Sequence, residues 1–418
     1  MRKCLFLRAF YYTLIFCFIN FVDSFFDDNL VSAQHRQMFR TTEPSHAICG
    51  DFQSEVSVVA VGDVMLGSWV TSVLSEKGYL YPFELTSRVL RSGDATIANL
   101  EAPFTVDGEP FEKKYNFKVP PDYVQGLKEA GFTVVSLANN HIMDFGETGL
   151  LSTMSALESV GVKYCGAGLN LARAARPAVV ELSGKKIAFF GYSMTLPKEF
   201  YATEDSSGTA YPGPNLMVES LTAWEDSVDF TVVSFHWSAE KLETPKDYQI
   251  YFAHLAIDSG ADLVLGHHPH VLQGIELYKN RLIAYSLGNF VFGSYSENAI
   301  DSIILKTHLR NEGLFFAQCI PINVDNREVE FQPRIFKGER KTAVINKLQR
   351  LSLSLNNGKN IIEDSGIILG EWGSFYDEWL QQTVLSSYWN IFVDQDSFKE
   401  PDIRVLSQGN NFRSKSTH

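Results

Sequence analysis

Short β-branched runs alternate with amphipathic segments from Val56 onward, and this alternation is the feature that most constrains the fold. Seven runs have the apolar character of buried strands: VSVVAVG, ATIANLE, FTVVSLANN, KKIAFFG, DFTVVSFHW, ADLVLGHH and RLIAYSLGN. Between them, four segments have helical spacing and mostly end at glycine: YPFELTSRVLR, VPPDYVQGLKEAG, GLLSTMSALESVG and QIYFAHLAIDSG. Strands that alternate with helices predict an α/β layered domain.

Polar side chains that can bind metal follow five of these strands directly. The residues are Asp63, Asn99 with Glu101, Asn139 with Asn140 and His141, His236, and the cluster His267, His268 and His270. In open α/β sheets, ligands bind at the edge formed by the carboxyl ends of the strands. The placement therefore predicts that these side chains converge on one site at that edge.

Taken singly, each of these residues has a structural explanation. Asp63 can cap the following helix, Glu101 can be a surface carboxylate, and His236 can be a hydrogen-bonded core histidine. The two asparagines can form a turn. The distribution nevertheless favours a site, because five of the ten histidines in the chain fall in the strand-end motifs.

Carboxylate, amide and imidazole groups together are typical of a dinuclear hydrolytic metal site. Imidazole suits Mn, Fe and Zn alike, so the residue types predict divalent ions, two in number, without choosing among these metals. No cysteine belongs to the set, which is typical of a catalytic rather than a structural zinc site. A serine hydrolase is disfavoured because the chain has no Gly-x-Ser-x-Gly elbow.

The charge of the chain limits its partners. Its 418 residues carry a formal net charge of −13, which argues against nucleic acid, since phosphate backbones need a concentrated basic surface. A phosphorylated substrate stays possible, because bound metal ions can supply positive charge locally.

Both ends of the chain differ from the alternating region. Residues 1–33 have a basic start and a short apolar run, which predicts a signal peptide or a signal anchor and hence an exported or membrane-anchored protein. Residues 34–54 have the composition of a linker. An extension with helical and aromatic segments is expected at 339–407, followed by a disordered tail at 408–418.

Six motifs in a fixed order carry a resemblance to a known family. They are GDVMLG, NLEAPFT, SLANNHIMDFGETGL, FHWSAE, GADLVLGHHPHVLQG and YSLGNFVFG. This series resembles the CapA/PgsA family of capsule and poly-γ-glutamate biosynthesis proteins. The resemblance covers about Val56 to Gly293 and is expected to include the strands that follow, which places a CapA-like domain at 55–338.

The resemblance implies a four-layer α-β-β-α sandwich, similar to the calcineurin-like metallophosphoesterases. The residues that match metal-binding positions of that superfamily are Asp63, Asn140, His236, His268 and His270. Asn99 or Glu101 can supply the bridging ligand, and its charge favours Glu101. His141 matches the position of a general acid, which with Asp63 forms the expected catalytic pair. Residues expected to contact substrate or to support the ligands are Asn99, Glu240, His267 and Gln273. Met65 replaces a histidine that is usual in the superfamily.

Two functions are consistent with these observations. The first is an exported or anchored component of poly-γ-glutamate or capsular polymer biosynthesis, export or anchoring, with an acidic polymer and a membrane-bound polymer synthase as partners. The second is a metal-dependent hydrolase of phosphorylated or γ-glutamyl substrates, in which the ions activate water and His141 donates a proton.

Overall fold

The computed structural model describes residues 55–182 and 184–371. The segments expected at 1–33 and 34–54, the part of the C-terminal extension after residue 371, and the tail lie outside the described residues. The helices of the described part include none that combines the length and the apolar character of a membrane span.

Seventeen strands make up the sheets of the described chain. In chain order they are β1 (Val56–Met65), β2 (Ala95–Leu100), β3 (Val134–Ser136), β4 (Lys163–Cys165), β5 (Ala167–Gly168), β6 (Ala178–Leu182), β7 (Lys185–Ser193), β8 (Gly208–Thr209), β9 (Phe230–His236), β10 (Leu263–His267), β11 (Ile275–Tyr278), β12 (Arg281–Ala284), β13 (Asn289–Phe292), β14 (Asp301–Arg310), β15 (Gly313–Asn323), β16 (Arg334–Ile335) and β17 (Ile367–Leu369). All seven predicted strands are present, as β1, β2, β3, β7, β9, β10 and β12.

Nine α-helices lie between or after the strands of the described residues. They are α1 (Trp69–Lys77), α2 (Ser87–Leu90), α3 (Val124–Ala130), α4 (Gly146–Val160), α5 (Leu171–Ala174), α6 (Pro214–Thr222), α7 (Asp247–Asp258), α8 (Asn326–Val329) and α9 (Gly338–Ser352). The segment YPFELTSRVLR forms only a 3₁₀ turn, Tyr81–Phe83, and the short α2, with residues 84–86 between them.

The strands form two large sheets and one small β5–β8 pair. The larger sheet has the order β16-β15-β14-β1-β2-β3-β4, with β13 beside β1 and β17 beside β15. The smaller has the order β11-β12-β10-β9-β7-β6. Neighbours β1, β2 and β3 are parallel, as are β7, β9 and β10, so each sheet gathers the carboxyl ends of its central strands at one edge.

The two sheets pack face to face, with helices on both outer faces. Successive residues of a strand point to opposite faces, so Val58 and Val232 enter the core between the sheets. Val59 enters the core under α3 and α4, while Val233 enters the core under α6 and α7. The four-layer α-β-β-α sandwich implied by the resemblance is thereby confirmed.

The C-terminal extension contributes to the same fold as far as it is described. Helix α9 buries Val344, Ile345 and Leu348 in the core that the two sheets share. Strand β17 then pairs antiparallel with β15 and widens the larger sheet. The amphipathic segment that follows residue 338 is therefore part of the sandwich.

A close backbone approach beside Asp63 generates a first prediction. A Cβ atom at Gly62 would lie 1.9 Å from the carbonyl oxygen of Gly288, whose carbonyl also accepts a 3.0 Å hydrogen bond from the backbone N–H of Asp63. We expect Gly62→Ala to lower the free energy of unfolding by about 3 kcal/mol, since neither backbone can move without disturbing the sheet. Urea denaturation measures the change.

Gly213 provides the matched control. A Cβ atom there has open space, and its φ of −43° is available to any residue. Gly213→Ala is expected to lower the free energy of unfolding by about 1 kcal/mol or less, because Gly213 is the N-cap of α6 and alanine is a poorer N-cap than glycine. Equal effects of the two substitutions would contradict the close approach.

Candidate metal centre

The candidate ligands come from both sheets, not from one. Asp63 lies near the end of β1, Glu101 follows β2, and Asn140 follows β3, all in the larger sheet. His236 and the histidine cluster end β9 and β10 of the smaller sheet. The prediction that all these side chains lie at one edge of one sheet is therefore corrected, because two sheets present their carboxyl-end edges to each other. The sequence could not show this, since the pattern of strands along the chain is the same for one sheet as for two.

The side chain of Asn99 holds the two carboxylates of the centre together. Its Nδ2 donates hydrogen bonds to Asp63 Oδ1 at 2.8 Å and to Glu101 Oε2 at 3.1 Å. Its Oδ1 accepts a 3.0 Å bond from Asn139 Nδ2. Asn139 in turn accepts hydrogen bonds from the backbone N–H groups of His141 and Ile142. Asn99 is thus committed to positioning, and Glu101 keeps its other oxygen for a ligand role.

That other oxygen, Glu101 Oε1, lies between two groups of candidate ligands. It is buried without a hydrogen-bond partner, 3.7 Å from His236 Nε2 and 3.9 Å from His270 Nε2. Donor atoms of Glu101, His236 and His268 lie within 4.8 Å of one another, and those of Asp63, Glu101 and His270 do so as well. Glu101 is the member common to both groups, which is the position of a bridging carboxylate.

The first group also includes an amide oxygen. His236 Nε2 lies 2.7 Å from Asn140 Oδ1, so the expected ligand Asn140 faces the same point as Glu101 Oε1. In the second group, His270 Nδ1 lies 3.0 Å from both Asp63 Oδ2 and Asn289 Oδ1, which leaves Nε2 directed towards Glu101.

The histidine loop after β10 adopts an unfavourable backbone. His268 has φ 93° and His270 has φ 59°, both in the left-handed region that residues with a Cβ rarely occupy. Strain of this kind costs on the order of 1–3 kcal/mol for each residue and is concentrated at functional sites. The loop also leaves His268 Nδ1 buried without a hydrogen-bond partner.

Burial and neighbouring charges shift the pKa values of adjacent groups in the centre in opposite directions. Burial and the charge of Asp63 raise the pKa of Glu101 well above its ordinary value. Burial would raise the pKa of Asp63 as well, but the imidazoles of His267 and His270 hold that pKa well below its usual range. Burial would lower the pKa of His270, but the neighbouring carboxylates raise that pKa to about 9. Burial and the charge of His270 lower the pKa of His268 to about 3.

His141 belongs to a second polar group beside the ligands. Its Nδ1 lies 2.9 Å from Asp144 Oδ2 and 3.2 Å from Lys113 Nζ, and its ring packs on Phe117. Lys113 pairs with Asp144 at 2.5 Å and donates to the carbonyl of Asn140 at 2.6 Å. Burial lowers the pKa of His141, although Asp144 opposes the shift. The ring is thereby fixed through Nδ1.

A cleft of about 680 Å³ opens onto these groups. Its wall includes His141, His270 and Asn289, together with Trp69 and Tyr295, whose rings meet edge to face at 6.1 Å between centroids. The cleft gives access from solvent to His141 and to the candidate ligand His270.

The remaining predicted residues, Glu240, His267 and Gln273, lie in different surroundings. Glu240 is exposed and lines the cleft, and its charge raises the pKa of Glu101 and His270. His267 is buried with Nδ1 3.3 Å from Asp63 Oδ1, so it supports that carboxylate. Gln273 is engaged elsewhere, because its amide accepts from Gln249 and donates to the carbonyl of Leu242. It therefore anchors the start of α7 and is not joined to the ligands by any described contact.

Three residues at the site were missed by the sequence analysis. Asp144 lies three positions after His141, a spacing that could have identified it as an orienting carboxylate. Asn289 begins a strand in YSLGNFVFG and could have been recognised as another polar residue at the sheet edge. Lys113 lies in a segment without periodicity, and no sequence pattern marks it.

The residues fit the divalent ions expected from the sequence. Two buried atoms, Glu101 Oε1 and His268 Nδ1, have no hydrogen-bond partner, and both of these residues belong to the ligand groups. Leaving such atoms unpaired costs about 1–3 kcal/mol each, a cost that a bound cation removes. Carboxylate, amide oxygen and imidazole form a donor set that suits Mn, Fe or Zn. Met65 is buried in the apolar core below α1 and contributes no such donor.

The chain is similar to several known proteins. Residues 57–294 match the family model described as "Bacterial capsule synthesis protein PGA_cap". The chain is 31% identical over 278 residues to the capsule biosynthesis protein CapA of Bacillus anthracis, covering 65% of this chain and 68% of that protein. It is 32% identical over 272 residues to the PGA biosynthesis protein CapA of Bacillus subtilis (strain 168), covering 64% and 72%. Among solved structures, a 5'-nucleotidase precursor from Thermus thermophilus aligns at 15% identity and a TM-score of 0.43, covering 67% of this chain and 56% of that one.

The unpaired oxygen of Glu101 generates a second prediction. We expect Glu101→Gln to remove most of the bound transition metal, measured by elemental analysis of the purified full-length chain. After chelation, the same variant should be at least about 1 kcal/mol more stable than the wild type, because the neutral amide no longer places a charge beside Asp63. Thermal denaturation with and without chelator measures this difference.

Glu276→Gln is the matched control. Glu276 is also a buried glutamate paired with a histidine, since its carboxylate binds His254 at 2.9 Å and the hydroxyl of Tyr285 at 2.7 Å. This variant should keep its metal and lose stability. Wild-type metal content in Glu101→Gln would show that Glu101 is not a ligand.

Proposed function

This chain belongs to the bacterial capsule synthesis protein family, and we propose that it serves in the synthesis, export or anchoring of a poly-γ-glutamate or similar acidic capsular polymer. The names of its two Bacillus relatives support this assignment. The observation that carries the metal-dependent part of the proposal is Glu101 Oε1, a buried unpaired oxygen shared by two ligand groups.

The charge of the chain explains why a metal centre is useful in this role. With a formal net charge of −13, the protein repels an acidic polymer at long range. Divalent ions held by Asp63, Glu101, Asn140, His236 and the histidine loop would provide local positive charge for a carboxylate of the polymer. A membrane-bound polymer synthase is the partner that we propose for this step.

The basic and apolar N-terminus supports a location outside the cytoplasm. We propose that residues 1–33 direct export or anchor the chain, so that the centre faces the polymer as it leaves the cell. Fractionation of cells that produce the full-length chain tests this location. Recovery of the chain in the cytosol would contradict it.

A hydrolytic activity is the second candidate, and the pair of His141 with Asp144 favours it. Bound divalent ions would activate water and stabilise the negative charge that develops on the substrate. Asp144 orients the ring through Nδ1, and Lys113 fixes Asp144. His141 then delivers a proton from Nε2 to the leaving group, and an anionic substrate in the cleft favours the protonated ring that this step requires.

The hydrolytic candidate yields a third prediction. His141→Asn should lower the rate of hydrolysis by about 10²–10⁴-fold with unchanged metal content, because it removes the proton donor and no ligand. The assay incubates the full-length chain with Mn, Fe or Zn and either poly-γ-glutamate or p-nitrophenyl phosphate, and follows new amino groups or released phenolate. Chelation should abolish both reactions.

His254→Asn is the control, since His254 pairs with Glu276 away from the centre and should leave the rate unchanged. Metal-dependent binding of polymer without hydrolysis would reject the enzyme and retain the accessory role. A well-folded wild type that takes up no metal would reject both versions.

A further inference from the structure

A cavity of about 840 Å³, which we call the basic cleft, lies beside β4 and β6, the strands at one edge of each large sheet. Its lining includes Lys163, Tyr164, Arg173, Arg176, Lys186 and Trp224. Lys186 is near the start of β7, whose last residue, Ser193, pairs with His236. These two positions are seven residues apart along β7, which corresponds to about 23 Å at 3.3 Å per residue. The basic cleft shares no lining residue with the cleft beside His141 and is therefore distinct from it.

Four cations converge on the basic cleft from separate parts of the chain. Lys163 begins β4, Arg173 lies on α5, Arg176 precedes β6, and Lys186 lies on β7. All four side chains are exposed to solvent. The lining contains a single carboxylate, Glu158, and its Oε1 accepts a 2.8 Å hydrogen bond from Tyr164. This concentration of positive charge contrasts with the acidic chain as a whole.

The four cations also differ from several other surface cations in how they are paired. Ion pairs join Lys185 with Asp229, Lys279 with Asp258, Arg327 with Asp325, and Arg340 with Glu328. In the part of the chain that the structure describes, none of the four cations of the basic cleft forms an ion pair. Their charges are available to an external anion.

The surface of the basic cleft between the four cations is suited to a segment of a polymer and not only to a single ion. The guanidinium of Arg176 lies 5.9 Å from the centroid of the Trp224 ring, and the floor includes the apolar residues Met154, Val162 and Ala178. A chain of γ-linked glutamates alternates carboxylates with methylene groups. The carboxylates match separated cations, and the methylenes match an apolar floor.

We propose that the basic cleft binds a segment of such a polycarboxylate chain and so tethers the polymer while the candidate metal centre engages another part of it. The inference rests on the proposed function for the identity of the polymer. Two separate sites on one protein raise the effective concentration of the polymer at the second site once the first is occupied.

The test measures binding of fluorescent poly-γ-glutamate of defined length to the full-length chain by anisotropy at low salt. We expect Arg173→Gln/Arg176→Gln to weaken binding about tenfold or more, and to make the affinity less sensitive to added salt. Lys279→Gln/Arg340→Gln removes the same charge from exposed positions outside the basic cleft and should leave the affinity within about twofold. Glutamate monomer should compete far more weakly than the chain.

Each alternative result has a defined meaning. Equal weakening by both double variants would show a general charge effect and overturn the inference. Binding that survives Arg173→Gln/Arg176→Gln but is lost in Glu101→Gln would also overturn it, while the proposed function would stand. Competition by inorganic phosphate without any dependence on polymer length would make the basic cleft a small-anion site and overturn the tether. Failure of the wild type to bind the polymer at all would reject both the inference and the polymer part of the proposed function.

Discussion

The amide of Asn99, which holds the carboxylates of Asp63 and Glu101 side by side in a buried place, is the interaction on which the site depends. Burial and the charge of Asp63 raise the pKa of Glu101, whereas the imidazoles of His267 and His270 hold the pKa of Asp63 low. Such an arrangement is stable only if positive charge is supplied nearby. His270 supplies part of it, and the remaining unpaired donor atoms give a divalent cation a defined place. The rest of the sandwich can be understood as the framework that brings these groups together.

Much of the fold follows from local signals in the sequence. Each predicted strand is an apolar run that ends at a polar residue or a glycine, and all seven are present. The hairpin of β14 and β15 escaped assignment because its strands include buried polar residues, such as Lys306, which donates to the carbonyl of Ser92. The division of the strands between two sheets was also invisible in the local pattern. Pairing partners are distant in the sequence, and only the resemblance implied the two-sheet arrangement.

The site shows the same limit at the level of single residues. Residue type and position after a strand predicted Asp63, Glu101 and the histidines as candidate ligands, since those properties are local. They did not distinguish the positioning role of Asn99 from a ligand role, because that distinction depends on which atoms face one another. Gln273 follows the histidine loop closely in the sequence, whereas its amide joins α7 to the loop at Leu242, and its role beside substrate or ligands stays a prediction. Lys113 reaches His141 from a segment that no periodicity marks.

The left-handed backbone at His268 and His270 has a consequence for how this protein can change. Glycine would relieve the conformational strain at both positions, so selection for thermal stability alone would tend to discard the imidazoles. Their presence in an unfavourable conformation means that the loop is retained although it lowers the stability of the folded state. Efforts to stabilise the protein should therefore leave this loop untouched and concentrate on the surface helices, where stability and the chemistry of the centre do not compete.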